Sequence, residues 1–99
     1  MTIQRTHIRI FGRVQGVFFR QTTYELAQEY NLTGYVRNRL NGSVEAVFEG
    51  DESNVRKIIE WSKNGPNFAS VQGIEIVSTE IVLNETEKLY QSFSIESTV

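Results

Sequence analysis

The chain has 99 residues, with twelve acidic and ten basic side chains, one histidine and no cysteine. That length makes one small domain; the absent cysteines exclude disulfides, thiolate metal sites and cysteine nucleophiles, and a lone histidine excludes the usual zinc constellations. A formal charge of −2 gives no general affinity for nucleic acid or anionic membranes.

THIRIFG alternates, with Ile8 and Ile10 on one face and His7, Arg9 and Phe11 on the other, which predicts a first strand ending at Gly12. GRVQGVFFR, residues 12–20, then follows neither strand nor helix periodicity. FRQTTYELAQEYN sets Thr23, Leu26, Ala27 and Tyr30 at helical spacing. It predicts an amphipathic helix that starts near Phe19–Gln21 and stops at a left-handed Asn31. TGYVRN and SVEAVFE flank RLNG, and Asn41-Gly42 between two alternating runs predicts a hairpin with a type I′ turn. On its second strand Val44, Ala46 and Phe48 share a face, and Gly50 closes it. DESNVRKIIEWSKNGP predicts a second helix capped by Asp51 or Ser53, with Val55, Ile58 and Ile59 as its apolar stripe and Gly65-Pro66 as its stop. VQGIEIVSTEIVL reads as a long strand bulged near Gly73, and YQSFSIEST as a short last strand around Phe93 and Ile95.

The order β-α-β-β-α-β, with one more short strand, predicts the α+β class. The expected architecture is a ferredoxin-like βαββαβ sandwich, an antiparallel sheet with two helices on one face. No linker, repeat or low-complexity stretch divides residues 1–99. No apolar run nears the roughly 20 residues that span a bilayer, and MTIQRTHIRIFG lacks the features of a signal peptide. A soluble cytoplasmic domain is expected. Such a fold hosts enzymes, RNA-binding modules and metal chaperones alike, so function has to be read from sites.

GRVQGVFFR falls between the first strand and the first helix. Backbone N–H groups there, with the helix's own unpaired amides and its positive dipole end, can form an anion site. Gly12 and Gly16 let the backbone curl, and Arg20 at the helix start could fork onto two oxygens of a tetrahedral anion. The stretch is neither a Walker loop nor G-x-G-x-x-G. The plainer alternative makes the glycines turn residues, Val14, Val17 and one phenylalanine core, and Arg20 a solvated helix residue. On the residues alone both readings stand.

GRVQGVFFR resembles the signature of the acylphosphatases, small enzymes that hydrolyse the mixed anhydride of a carboxylic acid and phosphate. GYVRNRLNGSVEAVFEG, from Gly34 to Gly50, resembles the second stretch of that family's pattern, and GPNFASV a weaker third. The similarity runs from about His7 to Ile95, which implies a single acylphosphatase-like domain with its core at about 7–95. The family's essential arginine falls on Arg20 and its essential asparagine on Asn38. The resemblance further implies that Gln15, Gly16, Val17, Phe18 and Phe19 bind the phosphate together with Arg20, while Asn38 positions the attacking water. It implies no metal and no cofactor, an acyl phosphate as small-molecule substrate, inorganic phosphate as product, and a monomer with no nucleic-acid or membrane partner.

The residues suit that division of labour. A carboxylate leaves without needing a proton, and neither motif holds a carboxylate or histidine placed as a general acid. Of the two phenylalanines, one is expected in the core and the other at the site mouth against the acyl group. Arg37 and Arg39 flank Asn38 and could add positive potential there. Two positions depart from the family pattern: Arg39 stands where threonine is frequent, and Tyr35 where tryptophan is. Arg39 in particular is expected to alter the hydrogen bonding behind Asn38 or the preferred substrate charge. His7 is read as structural or exposed, and Trp61 as packing. Rival functions are a base-stacking sheet, which the acidic EAVFEG strand disfavours, and a non-catalytic phosphate-binding regulatory domain, which the free-standing length disfavours.

Overall fold

The strand Ile3–Arg13 (β1) is the one around which the sheet is built. In the computed structural model, which describes residues 1–99, β1 pairs antiparallel with Val44–Asp51 (β3) on one side and Ser70–Val82 (β4) on the other. Thr33–Asn38 (β2) lies antiparallel to β3, and Phe93–Ile95 (β5) adds to the outer side of β2, for an order β4-β1-β3-β2-β5. The helices Phe19–Glu29 (α1) and Glu52–Ser62 (α2) are the crossovers between parallel strands. This is the ferredoxin-like sandwich, with one amendment. The fifth strand runs parallel to β2, Gly34 opposite Phe93, so the sheet is mixed.

Alternation decides which side each residue serves. Ile8, Ile10, Val36, Val44, Ala46 and Phe48 point at the helices, which return Phe19, Ala27, Val55 and Ile58 to one shared core. Phe93 stacks on Phe48 at 5.8 Å between ring centroids, and Phe19 packs against Trp61 at 5.3 Å. Burying each large apolar side chain contributes about 1.5–3 kcal/mol, so β5, short as it is, is held by Phe93 more than by its ladder.

The local signals have mostly the expected outcomes. Asn31 takes φ 56° and ends α1. Asp51, not Ser53, caps α2, its Oδ1 accepting the Ser53 amide at 2.9 Å. β4 is bulged next to Gly73, where Gln72 has no partner on β1, and a second time at Val77. The hairpin differs. Gly42 N–H donates to Arg39 O at 3.0 Å, and among non-glycine residues only Phe18 and Asn31 have positive φ. The turn is therefore a type I turn through Leu40 and Asn41, followed by a left-handed Gly42 (φ 94°). Asn41 uses its side chain instead of its φ: Oδ1 accepts the Ser43 amide at 3.0 Å and the Ser43 hydroxyl at 2.6 Å.

The other face of the sheet carries no helix. There β3 presents Glu45 and Glu49, both buried. Glu49 receives Arg5 at 2.8 Å and the amides of Leu89 and Tyr90 at 3.1 and 3.0 Å, which fastens the segment before β5 to the sheet. Burial pushes the Glu49 carboxyl up, but these hydrogen bonds outweigh it and hold the group below its ordinary 4.5. A carboxyl whose folded pKa is depressed stabilises the fold above its unfolded value, and that stabilisation drains away as pH falls through the folded one. Thermal melts should therefore show Glu49→Gln well below the wild type at pH 7, with the gap closing toward pH 3. A gap that stays constant with pH would mean the charge of Glu49 is not what stabilises this face.

Candidate active site

Five residues, Val14–Phe18, carry the chain from β1 to α1. Val14 and Val17 are anchored in the core, while Gly16 sits at the surface with φ 73° and open space where a Cβ would be. Gly16 is thus required for its backbone angle and not for close packing. Phe18 follows with φ 66°, a left-handed conformation that costs a non-glycine residue about 1–2 kcal/mol. It is the residue before α1 and offers that helix no side-chain cap.

The consequence for the backbone is a run of free donors. No amide from Gln15 to Phe18 donates to another protein atom, and the first helical bond is Thr22 N–H to Phe18 O at 3.0 Å. Phe19, Arg20 and Gln21 open α1, and the residues four back from them lie outside the helix. The unpaired amides thus continue into the positive end of the α1 dipole. Such a concavity of N–H groups is a binding place for anions.

A cleft of about 390 Å³ opens over this loop, and Gly16, Phe18, Phe19, Arg20, Asn38 and Ile95 line it. No carboxylate or imidazole is among its walls. Arg20 is half-buried and takes no part in the ion pairs of the chain. Asn38 ends β2 and shares the side of the sheet that Val36 uses two residues earlier, so it faces the loop. Its Oδ1 is fully buried and has no hydrogen-bond partner. Buried side-chain oxygens are rarely left unpaired, and Asn38 Oδ1 is one that no group of the fold satisfies.

The residues singled out in the sequence separate into two groups. Arg20, Asn38, Gly16, Phe18 and Phe19 meet in the cleft. Phe19 is the core phenylalanine, and Phe18, 71% exposed, is the one at the mouth. Gln15 and Val17 do not send their side chains there. Val17 is buried, and Gln15 Nε2 donates to Arg39 O at 2.8 Å and Ser43 O at 2.9 Å, tying the loop to the hairpin. Only their amides are left to face an anion. Ile95 was not anticipated: it reaches the cleft because β5 runs parallel beside β2, a pairing without a local sequence signal.

Arg37 and Arg39 add no charge to the cleft. Both turn to the helix-free face and close on Glu45, Arg37 Nε at 2.5 Å and Arg39 at 3.2 Å, where His7 Nε2 also stands at 2.8 Å. Burial pushes the Glu45 carboxyl up, and the hydrogen bonds from His7 and Arg37 more than reverse this, leaving it below its ordinary range. Tyr35 lies on that face too, under the Arg37 guanidinium at 5.0 Å.

Known proteins similar to this chain share one family. A family model described as Acylphosphatase matches residues 6–95. An acylphosphatase of Pyrobaculum islandicum is 52% identical over 73 residues, covering 73% of this chain and 77% of that protein. One of a Roseiflexus species is 45% identical over 76 residues, 77% of this chain and 82% of its own. The crystal structure of acylphosphatase from Bacillus subtilis superimposes with a TM-score of 0.80 at 34% identity, covering 94% of this chain and 98% of that one.

If the free amides form the anion site, titration with inorganic phosphate should shift the NMR resonances of residues 15–21 ahead of all others. Arg20→Ala should weaken that binding about 10- to 100-fold, the worth of hydrogen bonds to a charged group. Shifts centred elsewhere, or an unchanged affinity in the variant, would place the anion outside this cleft.

Proposed function

Because this chain belongs to the acylphosphatase family and hydrolyses the carboxyl-phosphate bond of acyl phosphates, we propose a metal-independent division of labour in which Arg20 and the loop amides hold the phosphoryl group and Asn38 aims the water. The observation that carries it is the meeting of Arg20 and Asn38, from different elements, in one cleft over a run of unpaired amides.

The chemistry asks little more of the protein. The water oxygen forms a bond to phosphorus while the bond from phosphorus to the acyl oxygen breaks, and the electron pair departs on the carboxylate. That leaving group is stable as an anion, so no residue has to protonate it. The proton lost by the water stays with the phosphate. What the site supplies is charge stabilisation on the phosphoryl oxygens and alignment of water, phosphorus and leaving oxygen. Arg20 provides a planar fork for two of those oxygens, and the amides of Gln15, Gly16, Val17, Phe18 and Phe19 provide fixed donors for the rest. The side-chain amide of Asn38 can hydrogen-bond the water and turn its lone pair toward phosphorus. No helix is long and apolar enough to cross a membrane, and one copy of the chain builds every wall of the cleft. Residues 1–99 are read as a single-domain cytoplasmic monomer, the family model over residues 6–95 supporting the single domain.

Benzoyl phosphate should be hydrolysed at full rate in the presence of EDTA. Arg20→Ala and Arg20→Lys should both fail, since an ammonium lacks the fork. Asn38→Ala should bind phosphate almost normally while kcat falls about 10²–10³-fold, typical for one preorganised donor or acceptor. Undiminished turnover in Arg20→Ala, or loss of phosphate affinity in Asn38→Ala, would overturn these assignments.

A further inference from the structure

We propose that Glu45, on the face of the sheet away from the cleft, is a positioning residue for Asn38 and acts through Arg37 and Arg39. The inference rests on the reading of Asn38 as the residue that aims the water.

Asn38 is flanked in sequence by Arg37 and Arg39, and alternation sends those two side chains to the face opposite its own. Glu45 stands directly across from Arg37 in the β2–β3 ladder. One carboxylate receives both arginines, Oε1 from Arg37 and Oε2 from Arg39, so it holds the strand immediately before and immediately after Asn38. Its side chain is only 3% exposed, which separates this pairing from the solvated surface ion pairs that fix nothing. From β1, His7 at 2.8 Å and Arg9 at 3.9 Å complete its surroundings and tie the carboxylate to a third strand. The cleft side has its own fastening, the bonds from Gln15 to Arg39 O and Ser43 O.

The Asn38 amide needs such help because its Oδ1 has no partner of its own in the fold. Where it stands is set by its backbone, which pairs with Val44 and accepts Val99 N–H at 3.2 Å, while Gln15 and Glu45 fasten the residues beside it from opposite faces. In-line attack is sensitive to that position: a misplacement of about 1 Å can cost about 10²-fold in rate. Phosphate binding is less so: Arg20 lies on α1, and the loop meets this hairpin at backbone carbonyls through Gln15 and not at the Glu45 cluster.

The test is steady-state kinetics with benzoyl phosphate, phosphate inhibition and thermal melts on Glu45→Gln, Arg39→Met and the double variant, beside Asn38→Ala. Glu45→Gln is expected to lower kcat about 10- to 100-fold while KM and the phosphate inhibition constant stay within about twofold. The double variant should lose no more kcat than Glu45→Gln alone. If kcat of folded Glu45→Gln is within twofold of wild type, if KM and phosphate affinity worsen in proportion, or if the two losses simply multiply, the proposal is wrong. Should Glu45→Gln not fold, Arg39→Met, at the rim of the cluster, decides by the same split between kcat and KM. An Asn38→Ala enzyme with normal turnover would overturn the reading of Asn38 and this proposal together. An inactive Asn38→Ala beside fully active Glu45→Gln and Arg39→Met would overturn this proposal alone.

Discussion

A backbone that is to bind an anion must keep its amides unpaired, and unpaired amides cannot hold a loop in place. Residues 15–18 face this constraint directly, because none of their N–H groups is spent on the fold. The loop is held by side chains instead. Val14 and Val17 reach into the core, Gln15 reaches across to the hairpin, and Phe19 locks the start of α1 under Trp61. The glycine at 16 and the left-handed Phe18 then bend a chain whose ends are already fixed. Most of the architecture around β1 and α1 can be understood as a frame for this one short stretch.

Charge is arranged with similar economy. The chain as a whole is slightly acidic, which does nothing to attract a phosphoryl group at long range. What matters is the field within a Debye length of about 8 Å, and there Arg20 is the charged side chain on the cleft wall. The acidic residues of β3 lie on the opposite face, each neutralised by arginine. A five-stranded sheet with helices on one side thus separates two electrostatic environments by the thickness of one layer. Arg37, Asn38 and Arg39 cross that boundary in three consecutive residues, because strand geometry sends neighbours to opposite faces.

Elements governed by local rules could be read from the sequence. Both helices, the alternation of β1 and β3, the left-handed Asn31 and the bulge near Gly73 all follow from periodicity and backbone preference. Arg20 and Asn38 were singled out by their resemblance to family motifs, and the fold brings the two into one cleft. What could not be read depends on packing between distant segments. The parallel docking of β5 is directed by Phe93 meeting Phe48, a contact between chain segments far apart. The fate of Arg39 was missed for the same reason: a glutamate in an alternating strand looks solvated until its neighbours are known. The hairpin defied a local rule, since Asn41 formed side-chain bonds to Ser43 where a positive φ was expected.

The placing of β1 also says something about the order of events in folding. Its pairing with β3 joins Ile3 to Asp51, and its pairing with β4 joins Ile3 to Val82, so one edge of this interior strand must wait for a segment made much later. Loops that long close at an entropic cost paid before their contacts form, which slows folding. Most of the cleft does not wait in the same way. Gln15, Arg20, Asn38 and Glu45 all lie before the β1–β3 pair is complete, and a ribosome exposes them together. On that account the loop, Arg20 and Asn38 can come together early, while the last third of the chain closes the sheet and adds Ile95 to the cleft.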